Sequence, residues 1–103
     1  MRLADLPPGT MHDCTVEGRD IVLCRTLDGT LYALDNLCTH AQARMCEGRL
    51  RGTRLLCPMH GGAFDVRDGR TLRAPATRAL IQHEVRARGV DIEVRVAPPG
   101  ESA

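Results

Sequence analysis

Cys38 and His40, within Cys-Thr-His, and Cys57 and His60, within Cys-Pro-Met-His, are the residues of this chain whose types and spacing could do chemistry. Sixteen residues separate the two pairs, and each pair offers one thiolate and one imidazole. Two such clips can close around a single zinc ion with tetrahedral Cys₂His₂ ligation. They can equally hold an asymmetric [2Fe–2S] cluster, with both Cys on one iron and both His on the other. The spacing favours the cluster, because C-x-H is an uncommon zinc clip whereas zinc knuckles usually place two to four residues between paired cysteines. On an extended segment, Cys38 and His40 fall on one side of the chain. Pro58 keeps the second clip out of a helix, and Gly61 and Gly62 let the backbone approach closely, so that amide N–H groups can point at sulfur.

These clips need a rigid frame, and the flanking sequence supplies strand signals. Met11 to Val16 and Asp20 to Arg25 are strand-like runs separated by Glu17-Gly18-Arg19. Ile21 to Arg25 and Thr30 to Leu34 flank Asp28-Gly29, a hairpin signature. Val90, Ile92, Val94 and Val96 alternate with charged residues, and Ile81, His83, Val85 and Ala87 form the matching face of the strand before, joined through Arg88-Gly89. No amphipathic helix of ten or more residues is apparent. An all-β sandwich or barrel is expected. The Gly- and Arg-rich stretch from Asn36 to about Pro75 breaks the rhythm and carries both clips. It is expected to form a small metal-binding subdomain inserted in the β framework, with short strands at Arg54–Cys57 and Ala63–Val66. The tail Pro98–Ala103 is expected to fray.

At 103 residues the chain predicts a single domain, 1–103, with one modest core. Its aromatic residues are a single Tyr32 and a single Phe64, so Val, Leu, Ile and Ala must build that core, and bound metal would add folding free energy. All fourteen basic residues are Arg, yet the net charge is +1, which leaves no global basic footprint for nucleic acid. No apolar run reaches membrane-spanning length, and the N-terminus lacks a signal-peptide core. A cytoplasmic protein is expected, without a membrane partner. Five Cys without secreted-domain spacing argue for ligation rather than disulfides. Cys14 and Cys24 are expected in the core, Cys46 as a half-buried thiol, His83 as a satisfied packing histidine and His12 in solvent.

Beyond the clips, DGTLYALDNLCTH, the A-x-x-x-x-E-G-x-L-x-G pattern across Ala43 to Gly52, LLCPMHGGAFDVRDG and Pro75-Ala76 resemble the Rieske ferredoxins of bacterial aromatic-ring dioxygenase systems. The resemblance runs from about Leu3 to Val96 and is most specific in the half that bears the clips. It implies a Rieske-like β-fold with an inserted cluster-binding subdomain and one [2Fe–2S] cluster. It also implies Cys38 and Cys57 on the inner iron and His40 and His60 on the outer iron, near the surface where a partner docks. High-potential relatives carry an extra Cys pair that forms a disulfide between the two loops; Ala43 and Met59 occupy those positions here. Gly62 and Phe64 replace hydroxyl donors to sulfur, which implies a potential toward the bottom of the Rieske range.

A centre with every metal position filled has no place for substrate, and the sequence shows no other catalytic constellation. The expected role is therefore a one-electron carrier, with no catalysis of its own, between a flavin-containing reductase and a terminal aromatic-ring oxygenase. It would act as a monomer and dock transiently near His40 and His60. The alternatives are an electron-transfer small subunit of a larger reductase, such as an NADH-dependent nitrite reductase, and a zinc-stabilised interaction module. The arginines of the cluster loops, Arg44, Arg49, Arg51, Arg54, Arg67, Arg70 and Arg73, are a possible docking face or simply a solvated surface.

Overall fold

The computed structural model describes residues 1–39, 43–59, 62–73 and 78–97. Among the described residues, nine strands form two antiparallel sheets, and the only helical pieces are 3-10 turns at Leu3–Asp5 and Met45–Glu47. The first sheet takes β1 (Thr10–Val16), β2 (Arg19–Arg25), β3 (Leu31–Asp35), β8 (Gln82–Arg88) and β9 (Asp91–Arg95), in the order β1-β2-β3-β8-β9. The second takes β4 (Arg49–Arg51), β5 (Arg54–Leu56), β6 (Ala63–Asp65) and β7 (Thr71–Arg73), side by side in chain order. The smaller sheet is thus an insertion between β3 and β8, where the sequence suggests one. β4 and β7, at three residues each, were not foreseen. No helix among the described residues is long and apolar enough to cross a membrane.

The β1–β2 connection is a two-residue turn in which Glu17 and Gly18 both have positive φ, 50° and 78°. This backbone matches the twist of a tight hairpin, and Gly18 adopts it without strain. The Ile21-Val22-Leu23-Cys24 run of β2 is buried on both faces. Ile21 and Leu23 face Leu6, Ala33 and Ile92, while Val22 and Cys24 face a second cluster shared with the smaller sheet. That second cluster contains Leu34, Leu55, Phe64, Val66 and Leu80 together with Cys38 and Cys57, so the frame and the clip region share one core. The C-terminal hairpin departs from simple alternation. Ile92 is buried, but Val90 is 59% exposed because it lies in the turn, and Ala87 at the outer end of β8 is exposed too. The tail Pro98–Ala103 and Pro75-Ala76 lie outside the described residues.

Candidate metal centre

Two loops of the same build carry the two cysteines. The first springs from the bridge between Leu37 and Arg44, and the Cys38 N–H donates to the Ala43 carbonyl at 2.9 Å. The second springs from the Leu56–Ala63 pair of β5 and β6, and the Cys57 N–H donates to the Gly62 carbonyl at 2.8 Å. Each cysteine therefore opens a loop of four intervening residues that its own amide closes. Both side chains turn inward, with Cys38 7% and Cys57 5% exposed, and the two thiols come within hydrogen-bonding reach of each other.

Burial pushes the Cys57 thiol up, opposed by the Met59 N–H that donates to its Sγ at 3.5 Å; the neighbouring Cys38 raises it further. Two buried cysteine side chains turned toward each other supply a thiolate donor pair once a cation lies between them, so this pair suits a metal centre. His40 and His60 lie outside the described residues.

Polar clamps that sequence reasoning did not single out hold the loops in place. Asn36 is fully buried, two residues before Cys38. Its Oδ1 accepts the Cys46 N–H at 2.8 Å, and its Nδ2 donates to Asp20 Oδ1 at 3.1 Å and to Cys46 Sγ at 3.4 Å. Its carbonyl accepts the Met45 N–H at 2.6 Å. One side chain thus ties the start of the first loop to the 3-10 turn after it. An Asn in a loop gives no periodic signal, so only its buried position reveals the role. Gly48 belongs to the same corner: a Cβ there would stand 1.8 Å from the Leu56 carbonyl oxygen, so no other residue fits without backbone movement. Thr39 Oγ1 donates to the Arg78 carbonyl at 2.7 Å, which joins the first loop to the approach to β8.

A second clamp sits in the β6–β7 turn. The Asp65 side chain is 3% exposed and accepts from Arg67 Nη2 at 2.7 Å, from the Arg67 N–H at 2.9 Å and from Arg70 Nη2 at 3.5 Å. The Arg67 guanidinium first, then the backbone donor and Arg70, outweigh burial and hold its carboxyl at about 2.

The remaining Cys and His residues fall as expected. Cys24 is buried in β2, where desolvation pushes its thiol up to about 12, and Cys14 is half-buried in β1. Cys46 is half-buried and held by Asn36. His83 is buried; its Nδ1 accepts the Ala97 N–H at 2.9 Å, so Nε2 bears the proton shared with Asp35 Oδ1 at 2.7 Å. With both nitrogens engaged it is a packing histidine. The His12 side chain is 58% exposed.

The arginines of the cluster loops divide into two groups. Arg44 meets Asp13 and Asp20, and Arg67 and Arg70 meet Asp65. Arg49, Arg51, Arg54 and Arg73 are exposed and make no ion pair among the described residues.

Comparison with known proteins agrees with this geometry. Residues 1–88 match the Rieske [2Fe-2S] domain family. The ferredoxin component of a naphthalene 1,2-dioxygenase system from Pseudomonas aeruginosa is 44% identical over 87 residues, covering 84% of this chain and 83% of that one. The ferredoxin of carbazole 1,9a-dioxygenase from Nocardioides aromaticivorans IC177 superposes with a TM-score of 0.86 at 32% identity, over 91% of each chain. A ferredoxin solved in complex with the reduced oxygenase of carbazole 1,9a-dioxygenase superposes at 0.84 with 34% identity, over 90% of this chain and 86% of that one. Family membership decides between the two metals that the ligands alone allow. The chain belongs to the Rieske [2Fe–2S] family, with one such cluster as its cofactor, as an electron-carrying ferredoxin component rather than an enzyme in its own right.

Proposed function

We propose that Cys38 and Cys57 hold one iron of the cluster and His40 and His60 the other, within a single domain spanning 1–103. The chain then passes single electrons from a flavin-containing reductase to the terminal oxygenase of an aromatic-ring dioxygenase system. The observation that carries this reading is the matched pair of loops, each opened by a buried cysteine and closed by that cysteine's own amide. When bound, the cluster supplies a site that takes up and releases one electron without opening a metal position to substrate. The residues of the chain do the rest. Cys38 and Cys57 anchor the inner side in the core, and the Met59 N–H pointed at Cys57 Sγ disperses sulfur charge. Asn36 and Gly48 fix the corner from which the first loop departs. In this reading the chain is a cytoplasmic monomer, and its partners dock transiently near His40 and His60.

The test combines the purified protein with the reductase and terminal oxygenase of a naphthalene 1,2-dioxygenase system. A red-brown protein with equal iron and sulfide, a Rieske-type EPR signal on reduction, and product formation that depends on this chain are expected. A colourless protein with stoichiometric zinc would overturn the ligand reading. A cluster-bearing protein that purifies only with a tightly bound large subunit would favour the small-subunit role instead.

A further inference from the structure

The register of the smaller sheet gathers its unpaired cations on one side. Leu50 and Leu55 are directly opposite each other and point into the core, so Arg49, Arg51 and Arg54 project from the other face. Arg49 stands opposite Leu56, Leu56 opposite Ala63, and Ala63 opposite Arg73, the row from which the Cys57 loop departs. Arg49 and Arg73 accordingly line one groove of about 320 Å³ with Leu56, Cys57, Pro58 and Glu47. One row further out, Arg51 faces Arg54 across the β4–β5 ladder. Like charges directly opposite destabilise a hairpin; Asp65 stands opposite Arg54 in the β5–β6 ladder, but its carboxylate is held by Arg67 and Arg70 and makes no ion pair with Arg51 or Arg54.

Several arginines elsewhere are neutralised, while Arg2, Arg25 and Arg78 also make no ion pair among the described residues. Arg19 meets Asp35, Arg86 and Arg88 meet Glu93, and Arg95 meets Glu84. The near-zero net charge therefore hides a local excess: four cations against Glu47 alone, beside a loop that holds the cluster.

We propose that this face, centred on Arg49 and Arg73 and continued by Arg51 and Arg54, docks a carboxylate-rich surface of the electron-transfer partner. The proposal rests on the carrier role proposed above and names the side of the molecule the partner meets. Leu56, Cys57 and Pro58 line the groove beside the two arginines, so a docked partner touches the loop that would ligate the cluster. Attraction of this kind acts on the association rate and fades with salt.

Stopped-flow oxidation of the reduced, cluster-bearing protein tests it with two ions of opposite charge, hexacyanoferrate(III) and tris(phenanthroline)cobalt(III), each of which takes one electron. Arg49→Glu/Arg73→Glu is expected to slow the anion about threefold or more at low ionic strength, to speed the cation, and to lose both effects at high salt. Arg49→Gln/Arg73→Gln should show the same directions at smaller size. Arg86→Glu, on the β8–β9 hairpin, should change neither rate. Visible spectrum and potential confirm that each variant keeps its cluster. Unchanged rates in the reversed protein, or equal changes with Arg86→Glu, would overturn the proposal. The terminal oxygenase of a naphthalene 1,2-dioxygenase system serves as the protein acceptor, where salt-sensitive slowing by the reversal is expected. A wild-type protein that reduces both ions but not that oxygenase would count against the partner class, and the ion comparison would still decide this surface.

Discussion

In the five-stranded sheet, β1, β2 and β8 run seven residues and β3 and β9 five, whereas every strand of the four-stranded sheet has three. The long ladders enclose Ile21, Leu23, Ala33 and Ile92 on one side of β2, and burial of this kind holds a sheet without help. Three-residue strands cannot do the same. The smaller sheet holds its shape through the apolar layer it shares with the frame and through Asn36 and Asp65, and the proposed cluster would add to that. The region that does the chemistry is thus the one least able to fold by apolar burial alone. It is built on a frame of longer ladders that has an apolar cluster of its own.

Removing the ligands should break this contrast open. Cys57→Ala is expected to abolish the visible spectrum and to speed hydrogen exchange across residues 49–73, while amides of Ile21 to Cys24 stay protected. Equal loss of protection in β2 would show that the two sheets fold as one unit and that the contrast is wrong.

A cavity in the frame should act the opposite way. Leu23→Ala, which removes a side chain only 1% exposed, should cost about 2–5 kcal/mol in global unfolding by denaturant. The folded fraction should keep its cluster spectrum. A spectrum that changes before unfolding begins would tie the frame's core to the centre.

Asn36→Ala orphans the Cys46 N–H and removes a donor from Asp20, which keeps Arg44, at a cost of about 1–3 kcal/mol. The loss should appear chiefly as faster release of iron to a chelator, with smaller movement of the global midpoint. Unchanged iron release would remove Asn36 from the support of the loop.

The smallest effect belongs to Asp65. Its carboxyl lies near 2 in the folded chain against 3.8 ordinarily, because Arg67 and Arg70 stabilise the charged form. A lowered value stabilises the fold above the unfolded value, and that contribution is lost as pH falls from about 4 through about 2. It amounts to up to about 2 kcal/mol at neutral pH. Asp65→Asn should remove it and flatten the acid limb of stability against pH over that window. An unchanged limb would mean that Arg67 and Arg70 do not hold the Asp65 carboxyl below its ordinary value.

Chain-local patterns determined much of this protein from the sequence alone. Glu17-Gly18, Asp28-Gly29 and Arg88-Gly89 mark hairpins because their turn chemistry is a property of adjacent residues, and all three connect paired strands. The spacing of Cys38 and Cys57 marked two loops because each clip lies within one short stretch, and the fold turns both side chains inward. The strands at Arg54–Leu56 and Ala63–Asp65 were visible as apolar runs before and after the Cys57 loop. The tertiary structure decided what depends on neighbours distant in sequence. β4 and β7 are too short to show a period and exist only because β5 and β6 offer them hydrogen bonds. Asn36 and Asp65 are unremarkable polar letters until burial makes their hydrogen bonds obligatory. The seven loop arginines are alike in sequence, and only the fold shows Arg44, Arg67 and Arg70 neutralised and Arg49, Arg51, Arg54 and Arg73 left facing solvent. Spacing reveals what neighbouring residues can do together, but charge and burial depend on what the folded chain sets beside them.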